Sequence, residues 1–86
     1  MTIIDVRSKP EFDQQHVEGA EWFDVMRFAN GELPDVAKDE EVVLYCYTGA
    51  RSNTAAQIMQ ANGFSKAVSG GGLAHMAARG YKLVRG

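Results

Sequence analysis

The chain has 86 residues, of which 45% are hydrophobic and 23% are charged, and its formal net charge is -2. This length predicts a single domain over residues 1–86, and the composition excludes disordered, collagen-like and membrane-spanning classes. No strongly basic or acidic tail is present, so neither nucleic acid nor an anionic membrane is an expected partner. The single cysteine excludes an intrachain disulfide, and with only two histidines no metal site is expected.

Short apolar segments alternate with helical segments in the first half of the chain. Residues 2–6 predict a buried strand because β-branched side chains follow one another almost without interruption. Pro10 suits the first turn of a helix predicted over residues 11–16. A weaker strand is predicted at residues 20–23, and Asp24 is a suitable cap for a helix over residues 25–29.

The second half contains the clearest elements. A strand is predicted at residues 42–45, followed by a helix over about residues 52–62 with apolar side chains on one face. Gly63 lies where a left-handed residue ends a helix, and Phe64 is expected to contact Met59. A last strand at residues 67–69 and a helix at residues 73–78 complete the pattern. This alternation predicts an α/β fold with a parallel sheet and helices on both faces.

A chemically distinctive segment, residues 45–52, joins the best strand to the best helix. Cys46 is at the carboxyl end of a predicted parallel strand, where ligands bind in open sheets. Gly49 allows the backbone to curl, and Arg51 supplies a permanent cation near the helix N-terminus. These features stabilise a thiolate and predict a reactive cysteine. An inert buried thiol is the alternative.

Four segments occur in a characteristic order along the chain. They are Asp5-Val6-Arg7 with Glu11-Phe12, His16-Val17-Glu18-Gly19-Ala20, Val43-Leu44-Tyr45-Cys46 with Gly49, Arg51 and Ser52, and Gly70-Gly71. Together they resemble a single-domain rhodanese, a sulfurtransferase, over nearly the whole chain. The resemblance implies a three-layer rhodanese-like fold with about four parallel strands. The four predicted strands would lie in the order second, first, third, fourth, with the switch point beside Cys46.

The resemblance also implies a mechanism. Cys46 would take the outer sulfur of thiosulfate or of a persulfide donor, and the resulting persulfide would pass to cyanide, a thiol or a protein thiol. Cys46 and Arg51 are therefore the predicted catalytic residues, with Arg51 attracting the small anionic donor. The residues that would surround the sulfur through loop amides or form the pocket wall are Tyr47, Thr48, Gly49, Ala50 and Ser52. No cofactor is implied.

Other polar residues are expected to support this site. Asp5 would accept hydrogen bonds from the active-site loop, or would simply cap its strand. Arg7 would pair with Glu11 or another carboxylate. His75 occupies a position where the family often has a packing tryptophan, and it is expected to be a surface or packing residue rather than a base.

Three alternatives can be compared with the sulfurtransferase hypothesis. In cysteine phosphatases that resemble this fold, five residues separate the nucleophilic Cys from Arg. Only four residues separate Cys46 from Arg51, which predicts a smaller anion-binding loop. A sulfur carrier loaded by a larger enzyme would use the same thiol. A regulatory protein-binding module would not need that thiol. The first residues lack a signal peptide pattern, so we expect a cytoplasmic monomer, or a periplasmic one if a leader has been removed.

Overall fold

Strands and helices alternate along the chain in the computed structural model, which describes all 86 residues. The elements are β1 (Thr2–Asp5), α1 (Lys9–Gln14), β2 (His16–Val17), β3 (Glu21–Trp22), α2 (Val25–Ala29), β4 (Val42–Cys46), α3 (Ala50–Ala61), β5 (Ala67–Gly72), α4 (Leu73–Ala78) and β6 (Leu83–Val84). None of the helices has the length and apolarity that a bilayer crossing requires.

The central sheet has four strands in the order β3-β1-β4-β5, and every neighbouring pair is parallel. This arrangement confirms the predicted strand order. Asp5 pairs in register with Tyr45, and Cys46 pairs with Gly72 because β5 carries one extra residue between Ser69 and Gly72. The chain leaves β1 toward one edge of the sheet and returns to its other side as β4. The switch point therefore lies between the carboxyl ends of β1 and β4, next to Cys46.

Helices cover both faces of the sheet. On one face, Ile4 and Leu44 pack with Met59 of α3 in the main core cluster. On the other face, Tyr45 packs with Met76 of α4 and with the second sheet. Successive side chains of a strand point to opposite faces, so the nearly continuous apolar sequence of β4 fills both cores. Each fully buried large apolar side chain stabilises the fold by about 1.5–3 kcal/mol.

The first helix begins earlier and ends earlier than predicted. Ser8 precedes α1, and its N–H group and hydroxyl both donate to Glu11 Oε1, at 3.1 and 2.9 Å. This capping box fixes the start of the helix. His16 lies outside the helix, in β2, where it pairs with Val84 of β6. The two-stranded antiparallel sheet β2-β6 was not predicted, because two-residue strands carry no periodicity.

The remaining boundaries differ in ways that matter for the site. Helix α3 begins at Ala50, two residues earlier than predicted, so the loop between β4 and α3 contains only residues 47–49. Strand β5 continues beyond Ser69 to Gly72. At the other end of α3, the N–H of Phe64 donates to the carbonyl of Met59 at 3.0 Å. The predicted end of this helix is therefore confirmed.

Candidate active site

Cys46 is the last residue of β4 and lies at the switch point of the sheet. Its side chain is 0% exposed, beneath the short loop that leads into α3. Gly49 precedes α3 with φ +110°, a left-handed conformation that side chains rarely adopt. This turn bends the loop back over the sulfur and directs the first N–H groups of α3 toward it.

The sulfur of Cys46 is surrounded by hydrogen-bond donors. The N–H groups of Gly49 and Ser52 donate to Sγ at 2.9 and 3.4 Å, and the thiol itself donates to the Ser52 hydroxyl oxygen at 3.5 Å. Once the sulfur is ionised, that hydroxyl becomes a donor to it. Burial raises the pKa of the Cys46 thiol, but hydrogen bonds to the sulfur lower it by more, so this pKa lies below its ordinary value. The donors are the hydroxyl and N–H of Ser52 and the N–H groups of Gly49 and Arg51. The arrangement favours a thiolate, the nucleophilic form.

Arg51 is engaged by a carboxylate from another helix. Its Nη1 and Nη2 donate to Oε1 and Oε2 of Glu11, at 2.8 and 3.1 Å. The hydrogen bonds from Arg51 lower the pKa of Glu11 to about 2. This fork joins α1 to the first turn of α3, and the Arg51 side chain stays 37% exposed. The sequence motif containing Glu11 did not reveal this partner.

Asp5 is buried at the end of β1, but its partners are not those predicted. Its carboxylate accepts hydrogen bonds from the N–H, Nε and Nη2 of Arg7 and from the Tyr45 hydroxyl, the latter at 2.8 Å. The expected hydrogen bonds from the loop to Asp5 are not made. Arg7 does pair with a carboxylate, as predicted, and the partner is Asp5 rather than Glu11. The Tyr45 hydroxyl also accepts from the N–H of Val17, at 2.9 Å. Because Tyr45 precedes the cysteine, this network anchors the strand that carries the nucleophile.

A glycine of β5 and a glycine of the loop allow the active-site loop to approach the sheet closely. A Cβ on Gly72 would lie 2.0 Å from the carbonyl oxygen of Tyr47, and one on Gly49 would meet Gly71 at 3.5 Å. The N–H of Gly72 donates to Nδ1 of His75 at 2.9 Å. The imidazole is otherwise exposed, so His75 is a surface residue that caps α4, and the packing residue of this helix is Met76.

The other predicted loop residues face outward. Thr48 and Ala50 are exposed, and Tyr47 is 64% exposed. Tyr47 lines a cleft of about 300 Å³ together with Glu11, Leu73 and Arg85, and Cys46 is not among its lining residues. The Arg85 guanidinium makes no ion pair or hydrogen bond within the chain. A second cleft, of about 270 Å³, lies beside β3 and includes no residue of the loop.

No group of three His, Cys, Asp or Glu side chains is placed to hold a metal ion.

Comparisons with known proteins agree with this geometry. A family model described as the rhodanese-like domain matches residues 1–76. The probable adenylyltransferase/sulfurtransferase MoeZ of Mycobacterium tuberculosis is 39% identical over 69 residues, which are 79% of this chain and 18% of MoeZ. The thiosulfate sulfurtransferase PspE of Escherichia coli is 32% identical over 77 residues, which are 86% of this chain and 72% of PspE.

Among solved structures, a rhodanese with anions from E. coli superposes with a TM-score of 0.81 at 30% identity, covering 99% of this chain and 98% of that one. The chain spans less than a fifth of the length of MoeZ but most of PspE. The family model, the relatives and the fold agree, and the chain belongs to the rhodanese-like domain family of sulfurtransferases.

Proposed function

We propose that this protein moves sulfane sulfur from thiosulfate, or from a persulfide donor, to a thiophilic acceptor through a persulfide on Cys46. The thiolate attacks the outer sulfur of thiosulfate, an S–S bond forms at Cys46, and the bond to the sulfite sulfur breaks. Sulfite leaves with the electron pair of that bond. Cyanide or a thiolate then attacks the outer sulfur, which leaves as thiocyanate or a new persulfide and regenerates the thiolate.

The observation that carries this proposal is the ring of donors around Cys46 Sγ. Gly49 and Ser52 donate to the sulfur, and their hydrogen bonds stabilise the thiolate that attacks the donor. The N–H groups of Tyr47 and Thr48 donate to no backbone carbonyl, so they remain available to a bound anion.

The approach of the donor is supported by the arginines beside the loop. Arg51 has five N–H donors, and its contacts to Glu11 use two of them, so the others can bind an anionic donor. Arg85 adds an unpaired cation in the cleft beside Tyr47. We propose that Arg51 orients thiosulfate over Cys46, and that Arg85 attracts the charged groups of donors or acceptors.

A sulfur carrier loaded by a partner enzyme is the second candidate, because the exposed Tyr47 cleft would accept a partner's chain as well as a small thiol. It differs from the first candidate in the source of sulfur. A regulatory module is disfavoured because the donor ring around Cys46 would serve no purpose in it.

Mass spectrometry of the intact protein after incubation with thiosulfate tests the proposal. We expect a gain of one sulfur atom that dithiothreitol removes, and thiocyanate production when cyanide is added. Cys46→Ser, which is nearly isosteric, should keep the fold and lose both signals. Absence of the added sulfur in the wild-type protein would refute the use of thiosulfate. Loading by a protein persulfide alone would favour the carrier.

A further inference from the structure

The hydroxyl of Ser52 occupies a branching point between Cys46 and strand β5. Its oxygen lies 3.5 Å from Cys46 Sγ and 2.8 Å from the hydroxyl oxygen of Ser69. Two carbonyl oxygens, those of Gly49 and Gly71, lie 3.1 and 3.2 Å away. Ser52 is 0% exposed, so solvent does not supply its hydrogen bonds. Which acceptor receives its one proton therefore decides how well it stabilises the sulfur.

The hydrogen bonds of Ser69 indicate which acceptor receives the Ser52 hydroxyl proton. Ser69 Oγ accepts a hydrogen bond from the N–H of Gly71 at 3.2 Å, and its only other partner within the chain is Ser52 Oγ. If Ser52 donated to Ser69, the Ser69 proton would have no acceptor in the protein and would have to be directed to solvent, since Ser69 is half-buried. If Ser69 donates to Ser52, both hydroxyl protons have acceptors, and the Ser52 proton is free to point elsewhere.

We propose that Ser69 is a positioning residue for sulfur transfer, whose hydroxyl donates to Ser52 and so directs the Ser52 proton to the anionic sulfur on Cys46. The two carbonyls compete for that proton, but a hydrogen bond to an ionised acceptor is about twice as strong as one to a neutral acceptor. Donation by Ser69 also polarises the Ser52 hydroxyl, because hydrogen bonds in a chain strengthen one another. This proposal deepens the proposed function and rests on it where it concerns the persulfide. The effect of Ser69 on the Cys46 thiolate does not depend on the proposed function.

The charged groups around the loop do not replace this chain of hydroxyls. Arg51 of α3 is paired with Glu11 of α1, and Arg7 is paired with Asp5 of β1. His75 of α4 binds the N–H of Gly72. None of these side chains hydrogen-bonds to Ser69. Its two partners in the chain are Ser52 Oγ and the N–H of Gly71, so the role through Ser52 has to be separated from loss of the Gly71 contact.

The test is the pH dependence of Cys46 alkylation by iodoacetamide, which needs no sulfur donor. We expect Ser69→Ala to raise the midpoint by about half a pH unit, which is roughly a threefold change in the acid dissociation constant. Ser69→Thr, which keeps the hydroxyl, should restore the midpoint. Ser65→Ala is the matched control, because Ser65 is exposed and its side chain makes no hydrogen bond.

The Ser52→Ala background distinguishes this role from a structural one. There, Ser69→Ala should cause no further shift, because the relay is already broken. An unchanged midpoint in Ser69→Ala, or an equal shift in the Ser52→Ala background, would overturn the proposal. If wild-type protein takes no sulfur from thiosulfate but the midpoint shift is present, the proposed donor is wrong while the role of Ser69 stands.

Discussion

Replacement of Gly72 by alanine should displace the active-site loop without altering the nucleophile. Gly72 has φ -100°, which alanine adopts without strain, so the effect would be purely steric. The added Cβ would lie 2.0 Å from the Tyr47 carbonyl oxygen, whereas real Cβ contacts are not found below 3.0 Å. The backbone at Tyr47 must therefore move by at least 1 Å, the difference between these distances.

The size of the effect follows from this displacement. Forced overpacking costs about 1–3 kcal/mol of folding free energy. A misplacement of about 1 Å in a catalytic group can reduce the rate by about a hundredfold. We expect Gly72→Ala to lower kcat for sulfur transfer by about that factor and to raise the midpoint of Cys46 alkylation, because the Gly49 and Ser52 donors move with the loop.

Gly70→Ala is the control for lost stability. A Cβ on Gly70 would meet the side chains of Met76 and Val43, at 2.7 and 2.8 Å, rather than the backbone of the loop. Urea unfolding should show a similar loss of stability in both variants. Only Gly72→Ala should also show the roughly hundredfold loss of kcat, because only its Cβ displaces the loop. Wild-type turnover and alkylation in Gly72→Ala would refute the argument that close contact between β5 and Tyr47 sets the loop.

The remaining predictions concern charge. Alkylation of Cys46 should reach half its maximal rate at a lower pH than that of N-acetylcysteine, because hydrogen bonds lower its pKa; an equal or higher midpoint contradicts the donor geometry. Arg51→Ala should raise the KM for thiosulfate about tenfold with a smaller effect on kcat, as expected for loss of a charge-assisted contact, whereas Glu11→Gln should not raise it. An unchanged KM in Arg51→Ala would show that Arg51 does not bind thiosulfate and that its role is the ion pair with Glu11 of α1. Because the pKa of Glu11 falls from 4.5 to about 2 on folding, its ion pair stabilises the protein above pH 4.5 and is lost as the pH falls toward 2. The free energy of unfolding should therefore decline more steeply over that range in the wild type than in Glu11→Gln; equal slopes measured by urea titration would show that the pair contributes nothing. Arg85→Ala should raise the KM for 3-mercaptopropionate as acceptor but not for 2-mercaptoethanol, with Lys82→Ala as a control outside the cleft; equal effects on both acceptors would exclude recognition of charge by Arg85.

The sheet and the nucleophile were predictable because strong local signals specify them. The apolar sequence of β4 reads as a strand buried on both faces, and a strand followed by Cys46, Gly49 and a helix places the thiol at a parallel strand's carboxyl end. The resemblance of four ordered motifs then supplied the order of the strands. These features depend on residues that are close in sequence or on a shared family pattern.

The choice of ionic partners was not predictable. Several carboxylates in the sequence could pair with Arg7 or with Arg51. Only the packing of α1 against the loop decides that Arg7 pairs with Asp5 and that Arg51 pairs with Glu11. The contact between Ser52 and Ser69 joins two elements 17 positions apart and depends on how far β5 extends. A serine in a short strand carries no local signal that distinguishes such a contact from exposure to solvent.

The complete burial of Cys46 bears on how the protein withstands oxidants. Peroxides oxidise accessible thiolates stepwise to sulfenic, sulfinic and sulfonic acids, and reducing thiols do not reverse the last two. In the resting protein the sulfur is 0% exposed and engaged by N–H donors, so a peroxide, like thiosulfate or iodoacetamide, reaches it only when the loop moves. An added sulfur, about 2 Å farther along the side chain, would stand nearer the surface and be attacked first. Damage would then fall on an atom that a reducing thiol can remove, and Cys46 would be recovered unmodified. Mass spectrometry after peroxide treatment, with and without prior thiosulfate, should show irreversible oxidation of Cys46 in neither case at doses that oxidise free cysteine, and irreversible oxidation of the resting thiol at those doses would contradict this shielding.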